Sequence, residues 1–309
     1  MSKRLIKNII ELDLYHLLVI FWKRKWSIIL IVSFFAVSSI FYALSLPNIY
    51  KSTAILAMAD KDNSLNSITK QYKSLTSLQG LNIGNDYSSQ KDEALQRMKS
   101  FKFFERNILS KINKQDLMAV ESWNRNTNTL NYNPKEYDFI NNSWTRKVNY
   151  PKTQIPSSQE IHEYILKNNL SISIDNQTSL VSVSFLHFSP YLATYYVNLY
   201  VNGINKEYQM EDKSISSNRI EFLQDSINNN KLADVSLVLA SLLEKEVQNL
   251  MLIEGDDTYI FNIVDEPYAP ELKFKPVRAV ICVLITLFGG LISLVYVLLT
   301  SNIQSRSNN

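Results

Sequence analysis

Residues 26–46 read WSIILIVSFFAVSSIFYALSL and residues 279–300 read AVICVLITLFGGLISLVYVLLT; neither holds a Lys, Arg, Asp or Glu, and more than two hundred polar-rich residues lie between them. At a rise of about 1.5 Å per residue, either stretch as a helix covers roughly 30 Å, the hydrocarbon thickness of a bilayer. A charge held at mid-bilayer costs at least about 2.5 kcal/mol, so its exclusion from both stretches is the signature of a span. Core helices of soluble proteins keep a polar face at this length, and these two do not. Ala43-Leu44-Ser45 loosely resembles a signal-peptidase site, but the apolar run ahead of it is longer than a typical signal-peptide core. The chain therefore reads as an antiparallel membrane hairpin carrying one large aqueous domain.

Charge sets the expected orientation. Lys3, Arg4, Lys7, Lys23, Arg24 and Lys25 precede the first span against only Glu11 and Asp13. The run Lys23-Arg24-Lys25 abuts the span and should hold the N-terminus in the cytoplasm. Lys273, Lys275 and Arg278 before the second span, with only Arg306 after it, give the opposite signal. The first span normally dominates, so Lys275 and Arg278 are expected at the outer interface, within reach of lipid phosphates. The expected organisation is a cytoplasmic tail over 1–25, spans at 26–46 and 279–300, a periplasmic domain over 47–278 and a cytoplasmic tail over 301–309. Within the domain, 47–188 and 254–278 form a base and 189–253 a helical arm.

Of 32 basic and 29 acidic residues, 25 and 27 fall between Lys51 and Arg278, so the formal charge of +3 belongs to the membrane flanks. This excludes a basic surface for nucleic acid. The one cysteine, Cys282, lies in the second span, which leaves the aqueous domain without disulfides. His16, His162 and His187 are isolated and lack metal-ligand spacing; no Gly precedes a Lys-Ser or Lys-Thr pair, and no nucleophile elbow occurs. No cofactor, metal or catalytic residue is expected. The acid pairs Asp256-Asp257 and Asp265-Glu266 leave a two-carboxylate glycosidase open, although adjacent acids at turns are usually solvated.

The periodicities predict an α+β domain. Tyr50–Met58 has the β-branched and aromatic content of a strand, and residues 60–87 read as loop with short helix. Ala94, Leu95, Met98, Phe101, Phe104 and Ile108 predict one helix over 89–112. The stretch from Trp123 to Pro156 is rich in Asn, with Trp123, Trp144, Tyr132, Tyr137 and Tyr150 spread through it. It reads as a loop-rich region with a sparse aromatic core, a sugar-stacking surface being the rival reading. A short helix follows the Ser157/Ser158 cap with Glu160 in its first turn. Period-two alternation in 170–174 and 180–185 around Asp175-Asn176-Gln177 predicts a hairpin with one apolar face.

Ser189-Pro190 then opens a long helix running to about Asn228, some 60 Å. Its outer part carries a thin stripe: Tyr208, Ile215 and Phe222 at heptad spacing, continued by Ile220, Leu223 and Ile227. Such a narrow stripe fits a coiled-coil seam, and Tyr208, Ile215, Phe222, Leu223 and Ile227 are the candidate oligomer contacts. After Asn228-Asn229-Asn230 a second helix returns with Leu239, Leu242, Leu243, Val247 and Leu250 inward, and Thr258–Val264 resumes a strand. Pro267, Pro270 and Pro276 make an extended strap into the second span. Both spans carry small residues that favour close helix contact in lipid: Ser33, Ala36, Ser39 and Ala43 on one, and Cys282, Thr286, Gly289, Gly290 and Ser293 on the other.

This plan resembles the Wzz-type chain-length determinants, the polysaccharide co-polymerases of the bacterial inner membrane. The resemblance rests on Leu12-Asp13-Leu14 and Trp22-Lys23-Arg24-Lys25-Trp26 before the first span and on Tyr50-Lys51-Ser52 after it. It continues through Ser189-Pro190-Tyr191-Leu192-Ala193 and Tyr259–Asp265 to Pro267, Pro270 and Pro276, with Gly289-Gly290 in the second span. One departure is the five-residue interval between Pro270 and Pro276, slightly looser than the usual strap; the 123–156 region carries none of the matching motifs. The resemblance implies a membrane-proximal α/β base with a long helical arm, assembled as a ring of identical subunits. It also implies a non-enzymatic regulator of O-antigen length in lipopolysaccharide, acting with the O-antigen polymerase on undecaprenyl-linked repeats. The Gly289/Gly290 face is then the expected polymerase contact. Two other readings stay open: a capsule or exopolysaccharide co-polymerase adaptor, and a two-span periplasmic sensor, for which the short tails leave no signalling domain.

Overall fold

A computed structural model describes residues 21–22, 24–59, 87–229, 232–255 and 258–307. The tail before residue 21 with its Leu12-Asp13-Leu14 motif, Lys23, the 60–86 segment, Asn230 and the Asp256-Asp257 pair lie outside the described residues. In chain order the helices are α1 (Lys25–Ser45), α2 (Tyr87–Met98), α3 (Phe101–Phe103, continued by a π-helical turn over Phe104–Ile108) and α4 (Lys114–Met118). They continue with α5 (Ser158–Tyr164, with a second π-helical turn over Ile165–Asn169), α6 (Pro190–Asn229), α7 (Ala233–Gly255) and α8 (Arg278–Ser307). The strands are β1 (Tyr50–Met58), β2 (Val120–Asn124), β3 (Thr129–Tyr132), β4 (Tyr137–Asp138), β5 (Ser143–Trp144), β6 (Leu170–Ile174), β7 (Val181–His187) and β8 (Phe261–Asp265). The fold is α+β with two candidate transmembrane helices and one very long helix, as expected. It divides into two compact units, Met1–Asn48 with Phe274–Asn309, and Ile49–Lys273.

In the second unit, β1 is central in a sheet of order β6-β7-β1-β8, antiparallel throughout. Alternation puts Tyr50, Ser52, Ala54 and Leu56 of β1 inward, beside Val181, Val183 and Phe185 of β7. That apolar face meets Tyr196, Val197, Tyr200, Val201 and Ile204 on the first five turns of α6, all nearly inaccessible to solvent. Burying side chains of this size stabilises by roughly 1.5–3 kcal/mol each. Gly203 lets α6 approach closely: a Cβ there would lie 3.2 Å from Cζ of Phe103. Ser52, the polar exception inside β1, donates to the Tyr268 carbonyl at 2.9 Å and sits 3.1 Å from the Thr194 hydroxyl. One side chain thus ties sheet, helix and strap.

The edge strand β8 is clamped by α6. Asn205, buried, donates to the Phe261 carbonyl at 3.0 Å and accepts from the Ile260 and Phe261 amides at 3.1 and 2.9 Å. The expected strand over 258–264 begins only at Phe261 and runs to Asp265. His187 ends β7, its Nδ1 accepting from the Ser189 amide at 3.0 Å and its Nε2 lying 2.7 Å from the Asp116 carbonyl. The geometry requires the neutral ring protonated on Nε2, and burial pushes its pKa below the usual histidine value.

The helix expected over 89–112 is broken at Ser100, whose extended backbone and side chain cap a new start by accepting from the Phe103 amide. The Lys99 carbonyl released there is 3.0 Å from His162 Nε2. The break rotates the following turns, so Phe103 joins Phe104 and Ile108 in the core while Phe101 is only partly covered. The 123–156 region is less irregular than expected, holding two hairpins, β2–β3 and β4–β5. Their turns carry Asn128 and Asn142 at positive φ. Tyr137 is buried against Tyr132 and Trp144, so a small aromatic core forms, while Tyr150 stands 97% exposed. The buried Arg146 anchors this region through two 2.7 Å bonds to the Glu160 carboxylate and two more to the Thr153 and Gln154 carbonyls. The hydrogen bond from Arg146 is the main cause holding the Glu160 pKa below its ordinary value.

Two outcomes follow. Asn205→Ala orphans three buried backbone groups and should cost roughly 3 kcal/mol in urea unfolding of the solubilised chain. The exposed neighbour variant Asn202→Ala should cost under about 0.5 kcal/mol. The second concerns pH: unfolded His187 binds a proton below about pH 6.5 that the folded ring refuses, so stability falls as pH drops through that value. Unfolding curves from pH 7.5 to 5.5 should show the loss, and His187→Gln should flatten it.

Candidate functional site

The described residues hold no group of His, Cys, Asp or Glu able to ligate a metal ion. Of the acid pairs, Asp265 and Glu266 are both exposed at the end of β8. Two helix pairs carry exposed apolar surface: the pair formed by α1 and α8, and the hairpin formed by α6 and α7.

In the first unit α1 packs against α8, antiparallel to it. Arg24 Nη1 donates to Thr300 Oγ1 at 2.7 Å at one end, and Arg278 Nη2 lies 3.4 Å from the Leu46 carbonyl and 3.2 Å from Asn48 Oδ1 at the other. Only 11% and 17% of their apolar windows are buried, far too little for core helices and fitting for surfaces that face lipid. The covered seam consists of Ser39 and Ala43 on α1 and Gly289, Ser293 and Val297 on α8, with Ala36 and Thr286 half-covered beside it. Hydroxyls in the seam bond carbonyls of their own helix: Ser39 to Ala36, Thr286 to Cys282 and Ser293 to Gly290, at 2.6–2.8 Å. No donor is stranded by them in hydrocarbon.

Two sequence expectations change here. Ser33, expected on the small-residue face, is exposed; the seam follows positions 36, 39 and 43. Gly289 and Gly290 do not act together. A Cβ at Gly289 would lie 2.5 Å from Cβ and Cγ of Phe35, while at Gly290 nothing lies within 4 Å. Gly289 is thus used in packing against the chain's own first helix, and only Gly290 presents open backbone. Arg24 and Lys25 stand at the start of α1, with the Lys25 ammonium 5.1 Å from the Trp22 ring centre. In the strap, Pro267 and Pro270 are half-buried in the second unit and Pro276, half-buried in the first, precedes α8 by two residues.

The α6–α7 hairpin is antiparallel along its length, fixed by Gln209 to the Ile253 carbonyl, Lys213 to Glu254, Asn249 to Ser216 and Arg219 to Glu246. Buried positions on α6 stop at Tyr208 except for Ser216, so the first half of this helix packs in the core and the second half stands against α7. The expected seam divides accordingly. Tyr208 is buried under the Arg97 guanidinium, 4.3 Å from its ring centre, where Arg97 also pairs with Glu93 and Glu211; burial pushes the Tyr208 pKa up to about 12. Ile220, Leu223 and Ile227 are half-buried on the side that the register turns to α7. Ile215 and Phe222 point outward. On α7, Leu239, Leu243, Val247 and Leu250 are half-buried as expected, but Leu242 is exposed. With Phe222, the residues Leu232, Val235, Leu237, Val238 and Leu242 leave the distal part of the hairpin richly apolar and uncovered.

One comparison with known proteins matches the family that the sequence resembles. The Wzz family model, described as chain length determinant protein, matches residues 10–118, from ahead of α1 through β1 to the end of α4. No curated protein matches the chain. Among solved structures it is similar to a full-length bacterial polysaccharide co-polymerase (16% identity, TM-score 0.41, 93% of this chain and 97% of that one). It is also similar to a fragment of WzzB, a polysaccharide co-polymerase from Salmonella Typhimurium (15%, 0.32, 74% and 100%). A third is a mutant of the Shigella flexneri lipopolysaccharide O-antigen chain-length regulator WzzBSF (13%, 0.26, 73% and 99%).

The helix pair can be tested directly. Gly289→Leu should lower the thermal midpoint of the purified chain in detergent, at an overpacking cost of about 1–3 kcal/mol, while Gly290→Leu leaves it near the parent value. Adding Phe35→Ala to Gly289→Leu should recover part of the loss.

Proposed function

We propose that this chain is a chain-length determinant for lipopolysaccharide O-antigen, working as a homo-oligomeric scaffold with the O-antigen polymerase on undecaprenyl-linked polymer. The observation that carries the reading is the family match over residues 10–118, joined to two uncharged spans around a mixed domain with a long helical hairpin. In this reading the protein sits in the inner membrane with Ile49–Lys273 in the periplasm, and it performs no catalysis. The exposed apolar residues of the distal hairpin support self-association, since apolar patches left open on a soluble domain mark contact surfaces. Ile215 and Phe222 serve as the oligomer contacts, while Leu223 and Ile227 hold the hairpin together. Gly290, the glycine left open, is the candidate for polymerase contact, while Gly289 and Ser293 are taken up by the chain's own helix pair.

A lipopolysaccharide gel tests this. Cells lacking the protein should replace a clustered ladder with an unregulated one, and the intact gene should restore the cluster. An unchanged ladder accompanied by a capsule defect would assign the chain to capsule or exopolysaccharide synthesis instead.

A further inference from the structure

We propose that the cleft formed by Tyr50, Trp123, Arg125, Tyr191, Pro270 and Glu271 binds a single neutral sugar ring of the polymer. The inference rests on the function proposed above and deepens it, by assigning direct polymer contact to a place where the 123–156 region meets the start of α6 and the strap.

The cleft encloses about 250 Å³. Clefts for drug-sized ligands hold roughly 300–1,000 Å³, so this one suits a group of one ring. Its aromatic wall is rigid. Trp123 lies 5.6 Å from Tyr50 at 83° and 6.2 Å from Tyr191 at 66°, both edge-to-face, and its indole Nε1 donates to Asn128 Oδ1 at 3.0 Å. Tyr191, 58% exposed, is held by its position directly after Pro190 in the first turn of α6. Such rings offer an electron-rich face to the polarised C–H bonds on the apolar side of a pyranose.

The rim supplies the complementary polar groups. Arg125 and Glu271 are exposed, and neither makes an ion pair or a hydrogen bond among the described residues. A planar guanidinium donates and a planar carboxylate accepts, together matching adjacent hydroxyls, each of which does both. One cation and one anion on the same rim leave no net charge to select an ionic ligand. The larger cleft of about 640 Å³ between the two small hairpins offers less. Its only carboxylate, Asp138, is occupied by the amides of Ile140 and Asn141 and by the Asn141 side chain.

The test uses the full chain in nanodiscs. The probe is the soluble polysaccharide released by mild acid from lipopolysaccharide of cells that make the protein, titrated by saturation-transfer NMR. The parent chain should bind, and Tyr191→Ala and Arg125→Ala should each weaken binding roughly tenfold, as loss of a stacking face or a charged donor predicts. Both positions are exposed, so thermal midpoints should stay unchanged, and Tyr150→Ala, outside the cleft, should bind as the parent does. Absence of binding by a chain that restores the clustered ladder in null cells would overturn the sugar site while leaving length control intact. Equal binding by both cleft variants would also overturn it. A ladder indifferent to deletion removes the function proposed above, and this inference with it.

Discussion

Hydrocarbon tolerates a polypeptide only where every backbone donor and acceptor is bonded within it and no charge is carried inside. The charge-free α1 and α8 meet that constraint in length and composition. Lipid gives apolar side chains no reason to leave it for one another, so the two helices must be held by close fit. Phe35 seated over Gly289 supplies the fit, and the Arg24–Thr300 and Arg278–Leu46 contacts mark where the pair meets polar surroundings.

In the second unit a single helix serves two environments. The first half of α6 is a core element, its Tyr196, Val197, Tyr200 and Ile204 filling the face of the β6-β7-β1-β8 sheet. The second half leaves that core and is supported by α7 through paired polar residues and a narrow apolar strip. Rigidity passes from one half to the other because Asn205 locks the helix to β8 and Arg97 locks α2 to Tyr208 where burial ends.

Much of this was legible from residue order. Charge-free runs of span length, serines alternating with Val and Ile in β6 and β7, and Ser189-Pro190 before an apolar turn each encode a local rule that the structure obeys. What escaped depends on tertiary context. The break at Ser100 leaves the heptad-like recurrence of Ala94 to Ile108 almost intact, so the pattern alone does not show it; the capping serine was the available signal. The hairpins after Trp123 lack the Asn-Gly turn that would have announced them, and Asn128 and Asn142 take left-handed backbone without a neighbouring glycine. The roles of Gly289 and Gly290 separate only when the partner helix is placed, since adjacent residues on one helix face different neighbours. The cleft around Trp123 draws on four separated stretches of chain, which no local pattern could assemble.

In the proposed reading a membrane-anchored chain presents the domain between its spans to the periplasm as a scaffold. Cysteine labelling tests it most directly: place Tyr150→Cys in a Cys282→Ser background, and treat cells whose outer membrane alone is permeabilised with a maleimide that cannot cross the inner membrane. The account predicts full labelling of a membrane-bound protein before the inner membrane is broken. Labelling only after inner-membrane lysis, or recovery of the chain in the soluble fraction, would contradict it.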